Sequence, residues 1–114
     1  MQNPRNFLEA ADREFNAREI DAVLARMTAD VTWPNGMDGG YVYGREGVRE
    51  YWTRQWSVVD PQVDPVNITP AADGRFVVNV RQVVRDLTGK LLIDTTVVHV
   101  YRLRDGLIER MEIE

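Results

Sequence analysis

The chain has 114 residues, 44% of them hydrophobic and 28% charged, with a formal net charge of -4. This length and composition predict one folded domain, 1–114, and exclude a disordered chain. The mild acidic excess gives no basic surface for nucleic acid or anionic lipid, so we expect neither as a partner.

The sequence contains no cysteine and a single histidine. Disulfides and thiolate chemistry are therefore excluded, and a multi-histidine zinc site is not expected. No apolar run approaches the ~20 residues that a membrane span requires. Residues 1–14 lack the basic and then apolar order of a signal peptide. We therefore expect a cytoplasmic protein that needs no metal.

Two consecutive helical segments are predicted at the start of the chain. Asn3 and Pro4 are typical of a helix N-terminus, with Asn3 as the capping residue. Asn16-Ala17-Arg18 is a short joint, so the pattern fits two helices or one bent helix. The apolar residues with helical spacing are Phe7, Leu8, Ala11 and Phe15, then Ile20, Val23, Leu24 and Met27.

A strand, a loop and a third helix follow. The strand covers 30–34 and ends at Pro34, which cannot donate a ladder hydrogen bond. The loop covers 35–40 and is rich in glycine. The third helix begins near Gly44 and has a strongly aromatic face, formed by Val48, Tyr51, Trp52, Gln55 and Trp56.

From residue 58 onward the apolar pattern alternates with a period of two, which predicts strands. An irregular edge strand spans 63–68 and is interrupted by prolines at 61, 65 and 70; longer strands span 75–86, 91–103 and 107–114. The turns are at 72–74 and 87–90, and Asp105-Gly106 is a strong hairpin signal. The fold class is therefore α+β: an antiparallel sheet with helices on one face.

His99, the one histidine, is predicted to point toward the helices. In the strand 75–86 the even positions from 76 to 84 are apolar except for Gln82. In the strand 91–103 the odd positions, which include His99 and Tyr101, form the apolar face. A four-residue turn at 87–90 joins even positions of the first strand to odd positions of the second. His99 and Gln82 therefore share the inward face.

A buried histidine needs a hydrogen-bond partner. One candidate is Gln82, and another is a glutamate of the last strand. If the last hairpin turns at Asp105-Gly106 alone, Glu112 lies opposite His99. If that turn carries a glycine bulge, Met111 lies there and Glu109 lies near Tyr101.

The opposite face of the strand 91–103 carries Thr96, Val98 and Val100. This surface is more apolar than solvent contact requires, and we interpret it as a homodimer surface. The alternative is that these residues only reflect β-strand propensity.

Three stretches of the chain resemble the SnoaL-like branch of the nuclear-transport-factor-2-like superfamily. They are FNAREIDAVLARMTADVTWPNG, GREGVREYW and VRQVVRDLTGKLLIDTTVVHVYRLRDGLIERMEI. The resemblance implies a cone, in which a curved sheet wraps around the helices and leaves a pocket at the wide end. It also implies a dimer that uses no cofactor.

Few catalytic residues of the enzymes in this superfamily have a counterpart in this chain. Steroid isomerases of the superfamily place an aspartate before a proline at the end of the first strand, and Trp33 holds that position here. Their protonated acid on the penultimate strand matches His99. Their tyrosine of the first helix falls near Ala11 and is missing. The last-strand aspartate of cyclases and epoxide hydrolases falls near residues 112–114.

The candidate catalytic residues are His99, Gln82 and Glu112. A histidine side chain has a reference pKa near 6.5 and suits acid/base catalysis, and Gln82, Tyr101 or a last-strand glutamate would orient it. Aromatic side chains suit the walls of a pocket for a flat apolar ligand. The candidate pocket residues are Trp33, Tyr101, Trp52, Trp56 and, in the loop, Asp38.

Two functions fit these residues. The first is a cofactor-independent isomerase, dehydratase or cyclase that acts on a small apolar cyclic molecule, with His99 moving the proton. The second is a non-catalytic dimeric module that binds a ligand or a partner.

Overall fold

A computed structural model describes residues 3–114 of the chain and confirms the predicted α+β class. Residues 1 and 2 of the predicted domain lie outside the described residues. The helices are α1 (Pro4–Asn16), α2 (Ile20–Leu24) and α3 (Gly44–Trp56). The strands are β1 (Met27–Pro34), β2 (Tyr41–Tyr43), β3 (Val59–Pro70), β4 (Phe76–Asp86), β5 (Leu91–Arg104) and β6 (Leu107–Ile113).

Helix α1 begins and ends as its sequence requires. The side-chain oxygen of Asn3 accepts a hydrogen bond from the Arg5 backbone N–H at 2.8 Å, which caps the helix N-terminus. At the other end, the Asn16 side chain exchanges two hydrogen bonds with the backbone of Val63, at 2.7 and 2.9 Å. These bonds fix the end of α1 against β3.

The chain turns between α1 and α2, so of the two alternatives, two helices or one bent helix, the first is the one observed. Arg18 takes a φ of 63° at this joint, a left-handed conformation that is uncommon for a residue with a side chain. Met27, which the helical pattern included, begins strand β1 instead and is fully buried.

The sheet of the described chain has six strands in the order β2-β1-β6-β5-β4-β3. The predicted meander of β3 to β6 is confirmed. β1 runs parallel to β6, whereas every other neighbouring pair is antiparallel. The curved sheet remains open and wraps the helices as a cone, and the short strand β2 extends it beyond the prediction.

The predicted inward faces of β4 and β5 are confirmed. Val78 pairs with His99 across the two strands, and both side chains are buried. Val80 is also fully buried, and the inward side chains of these strands join those of α1 and α3 in one core. Asp94, on the other face, is exposed and forms an ion pair with Arg81 at 2.8 Å.

The last hairpin has a register that neither predicted alternative describes. Ile113 lies opposite His99, and Glu112 lies opposite Val100. The pairing shifts by one residue between Arg102 and Leu103, because Glu109 is an extra residue in β6. The predictions of Glu112 or Met111 opposite His99 are therefore wrong, since the irregularity lies within the strand rather than at the turn.

Candidate functional site

A cavity of about 270 Å³ lies between the helices and the concave face of the sheet. Its wall is mostly apolar and combines residues from all three helices, from the sheet and from the loop after β1. Five of its lining residues have polar side chains: Asp12, Tyr51, Gln55, Gln82 and His99. No lysine or arginine of the described chain lines it.

Asp12 on α1 is a buried carboxyl group in this wall, with 7% of its surface exposed. Burial raises its pKa from 3.8 to about 7, and the negative charge of Asp64 raises it further in the same direction. No basic group of the described residues offsets this effect. Asp12 therefore exchanges a proton near neutral pH.

His99 on β5 also lines the cavity and is 7% exposed. Burial lowers the pKa of its imidazole from 6.5 to about 4, because an apolar environment disfavours the charged form. Its Nδ1 atom is buried and has no hydrogen-bond partner among the described residues. His99 is therefore neutral at pH 7.

The partner predicted for His99 is not in reach. Gln82 lines the cavity, but it lies opposite Thr95, whereas His99 lies opposite Val78. Four residues of strand separate these two pairs, which is roughly 13 Å along β4. Gln82, one of the two candidate partners, therefore does not bond His99, although both residues face the same cavity.

The glutamates of the last strand lie away from the cavity. Glu112 is on the outer face, where it forms an ion pair with Arg110 at 2.8 Å. Glu109 pairs with Arg104 at 3.4 Å. Neither glutamate lines the cavity, so β6 gives this wall only apolar side chains: Ile108, Met111 and Ile113.

Two of the three tryptophans line the cavity. The rings of Trp33 and Trp52 meet edge to face, with centroids 5.4 Å apart. Trp56 does not line the cavity; it packs on Phe15 at 5.4 Å and lies under the guanidinium of Arg18 at 4.9 Å. Of the three tryptophans predicted for the wall, Trp33 and Trp52 line the cavity and Trp56 packs behind them.

Tyr101 lies behind the wall rather than in it. Its ring is 3% exposed and stands 6.3 Å from the ring centroids of both Trp33 and His99. Burial and the nearby charge of Asp12 raise the pKa of its hydroxyl group well above 10. Tyr101 therefore supports two lining residues and remains a neutral phenol.

The loop after β1 covers one side of the cavity. Gly36 and Met37 line it, and Met37 is 41% exposed, which places this side chain at the mouth. Asp38 does not line the cavity. Its carboxylate points outward and forms an ion pair with Arg54 of α3 at 2.9 Å.

The sequence profile of the SnoaL-like domain matches residues 7–111. The chain belongs to the SnoaL-like family. No curated protein sequence matches it. Several solved structures are similar to it over almost their whole length.

TerC, crystallised with polyporic acid, is 29% identical to this SnoaL-like chain, with a TM-score of 0.83, and the match covers 97% of this chain and 89% of TerC. An NTF2-like protein of Burkholderia pseudomallei is 24% identical (TM-score 0.85; 100% and 91% covered). A Mycobacterium tuberculosis protein in complex with estradiol-17beta-hemisuccinate is 21% identical (TM-score 0.82; 98% and 93% covered). The last two likenesses show the fold alone.

Sequence reasoning about this SnoaL-like chain missed Asp12, although a signal was present. Asp12 is four residues after Leu8 and three before Phe15, so it lies on the apolar face of α1. A carboxyl group on the buried face of an amphipathic helix is unusual and is a candidate functional group. The resemblance drew attention to Ala11, one position away, where a tyrosine was expected.

The described residues of the SnoaL-like chain hold no group of three or more His, Cys, Asp or Glu side chains placed to bind a metal ion. Within residues 3–114, no helix has both the length and the apolar character needed to cross a membrane.

Proposed function

We propose that this SnoaL-like chain binds a small, flat, mostly apolar molecule in its cavity and moves a proton on it, in an isomerisation, dehydration or cyclisation. The observation that carries this proposal is Asp12, a buried carboxyl group with a pKa of about 7 in a mostly apolar wall. A group with such a pKa is present in both protonation states at neutral pH, as general acid/base catalysis requires.

The wall of the cavity supports a flat ligand. The indoles of Trp33 and Trp52 both line the cavity, with an interplanar angle of 89°. Trp52 is 1% exposed, so the aromatic surface open to a ligand belongs mainly to Trp33, and such a surface binds rings through its face and edge. The crystallisation of TerC with polyporic acid, at 29% identity, supports binding of a small organic molecule in the same fold.

Asp12 takes the role of the proton-transferring group in this proposal. In an isomerisation, its carboxylate removes a proton from the carbon between a carbonyl group and a C=C bond. The electron pair of the C–H bond then forms a dienolate, with the negative charge on the carbonyl oxygen. The carboxylic acid of Asp12 returns the proton to the far carbon, and the double bond ends in conjugation.

His99 takes a different role from the one predicted. A conjugate-acid pKa of about 4 makes its neutral imidazole a weak base, so proton removal fits Asp12 better. A neutral imidazole that lines the cavity is a hydrogen-bonding group for the ligand. His99 would thus orient the substrate, and its acid/base role stays a prediction.

A cyclic β,γ-unsaturated ketone, such as 3-cyclohexenone, tests the catalytic proposal. Its isomerisation gives a conjugated ketone that is followed by ultraviolet absorbance. We expect the wild type to accelerate this reaction and Asp12→Asn to lower kcat/KM at least 100-fold, since a carboxamide cannot exchange the proton. The matched control is Asp21→Asn, which changes an exposed carboxylate of α2, and it should react like the wild type.

Binding without catalysis is the second candidate function. It is favoured by the position of Glu109 and Glu112, which leaves Asp12 as the one carboxyl group of the described chain in the wall. If flat apolar ligands bind but neither the ketone nor related substrates react, the chain is a ligand-binding module and the catalytic proposal is wrong.

A further inference from the structure

The hydroxyl group of Tyr51 has an unused hydrogen-bond donor at the cavity. Its oxygen accepts a hydrogen bond from the Gly36 backbone N–H at 3.0 Å and a longer one from Gln55 Nε2 at 3.5 Å. A phenol also donates one hydrogen bond, and no acceptor of the described residues takes it. Tyr51 is 4% exposed, so bulk water does not reach this donor freely.

The surroundings of this donor define the group that it can bind. Tyr51, Gly36 and Gln55 all line the cavity, and no cationic side chain of the described chain does. An anionic ligand would therefore enter without a counter-charge, and near Asp12 it would be repelled above pH 7. A neutral acceptor, such as a carbonyl oxygen, pairs with a phenol hydroxyl at no such cost.

We propose that Tyr51 is a specificity-determining residue, which donates a hydrogen bond to the carbonyl oxygen of a neutral cyclic ketone or quinone in the cavity. This inference rests on the proposed function and narrows its substrate class to neutral carbonyl compounds. A buried donor that is left without a partner lowers the affinity for an analogue without the oxygen.

The same hydroxyl group connects the ligand to the loop at the mouth. Gly36 belongs to the loop 35–40, and its neighbour Met37 covers part of the opening. A side-chain carbon at Gly36 would stand 3.4 Å from the Tyr51 oxygen, so the backbone of the loop passes close to this hydroxyl group. Hydrogen bonds in a chain strengthen one another, so a carbonyl acceptor on Tyr51 should strengthen the hydrogen bond between Tyr51 and Gly36.

Two ligands of the same shape test this proposal: 1-tetralone, which has the carbonyl oxygen, and tetralin, which lacks it. Their affinities are measured by quenching of tryptophan fluorescence for the wild type, Tyr51→Phe and the control Tyr43→Phe, whose ring is 69% exposed. We expect the wild type and Tyr43→Phe to prefer 1-tetralone. Tyr51→Phe should lose about tenfold in affinity for 1-tetralone and nothing for tetralin.

A second measurement covers the case in which Tyr51→Phe fails to fold. The carbonyl stretch of 1-tetralone bound to the wild type is recorded by infrared spectroscopy. A shift to lower frequency than in an apolar solvent supports a hydrogen bond, and an unshifted band overturns the proposal.

The outcomes separate this inference from the function on which it rests. Equal affinity of the wild type for the two ligands, or equal losses for both in Tyr51→Phe, overturns the role of Tyr51 while ligand binding stands. If neither ligand quenches the wild type, the proposed function fails, and the inference fails with it.

Discussion

Asp12 and His99 line one cavity, and burial shifts their pKa values in opposite directions, to about 7 for Asp12 and about 4 for His99. Asp12 stabilises the folded state at low pH, and this contribution is lost as the pH rises from 3.8 through 7. His99 contributes stability above pH 6.5, which is lost as the pH falls through 4. Between pH 4 and 6.5 the pair holds one proton in the folded state, on Asp12, and one in the unfolded state, on His99. Their effects on the pH dependence of stability therefore cancel in this range.

The variant Asp12→Asn should reveal the contribution of His99 alone. Its free energy of unfolding should rise from pH 4 to pH 6.5, by roughly 1.4 kcal/mol per pH unit at most, and then level off. At pH 8 the variant should be more stable than the wild type by roughly 2 to 4 kcal/mol, because no buried carboxylate remains. Urea unfolding across the pH range measures this, and a pH profile that matches the wild type contradicts the buried position of Asp12.

The variant His99→Gln should show the opposite slope, since Asp12 is then the group that titrates. Its free energy of unfolding should fall as the pH rises from 4 to 7, with a similar maximal slope. The control is Asp94→Asn, at an exposed ion pair on the other face of the sheet. That control should keep the flat profile of the wild type between pH 4 and 6.5.

The inward face of β4 and of β5 was predictable from the sequence, because in each strand alternate residues form one apolar and one more polar face. The four-residue turn at 87–90 then predicted that even positions of β4 lie opposite odd positions of β5, and the pairing of Val78 with His99 confirms this. The burial of His99 follows from the same pattern. Its pKa direction follows from burial, whereas the lack of a partner for Nδ1 depends on neighbours that the pattern does not name.

The register of β6 was not predictable, because nothing in RDGLIERMEI marks Glu109 as an extra residue. A bulge in a strand depends on how β5 and β1 hold β6 from both sides. The same limit applies to β1, where Met27 fits a helical pattern but pairs with Ile108. Local spacing predicts which face a residue takes, and the sheet as a whole decides which residue it meets.

Ligand binding should be reported by Trp33 and Trp52 but hardly by Trp56, because only the first two line the cavity. We expect the fluorescence of a Trp56→Phe variant to be quenched by 1-tetralone as strongly as that of the wild type. Trp33→Phe should lose a large part of the quenching. Trp56→Phe should instead lower the melting temperature, since it removes the stacking with Arg18. Equal quenching in all variants would place the ligand outside this cavity.

The homodimer surface stays a prediction, and the structure shows which of its residues to change. Val100 is 4% exposed within a single chain, so it is not available to a partner, whereas Val98 is half-buried and Thr96 is exposed. Val98→Asp would bury a charge in the contact of two chains and should convert a dimer into a monomer. Light scattering after size-exclusion chromatography measures the mass. The control is Val66→Asp, at a 62% exposed side chain of the edge strand β3, and a dimer that survives Val98→Asp would contradict this surface.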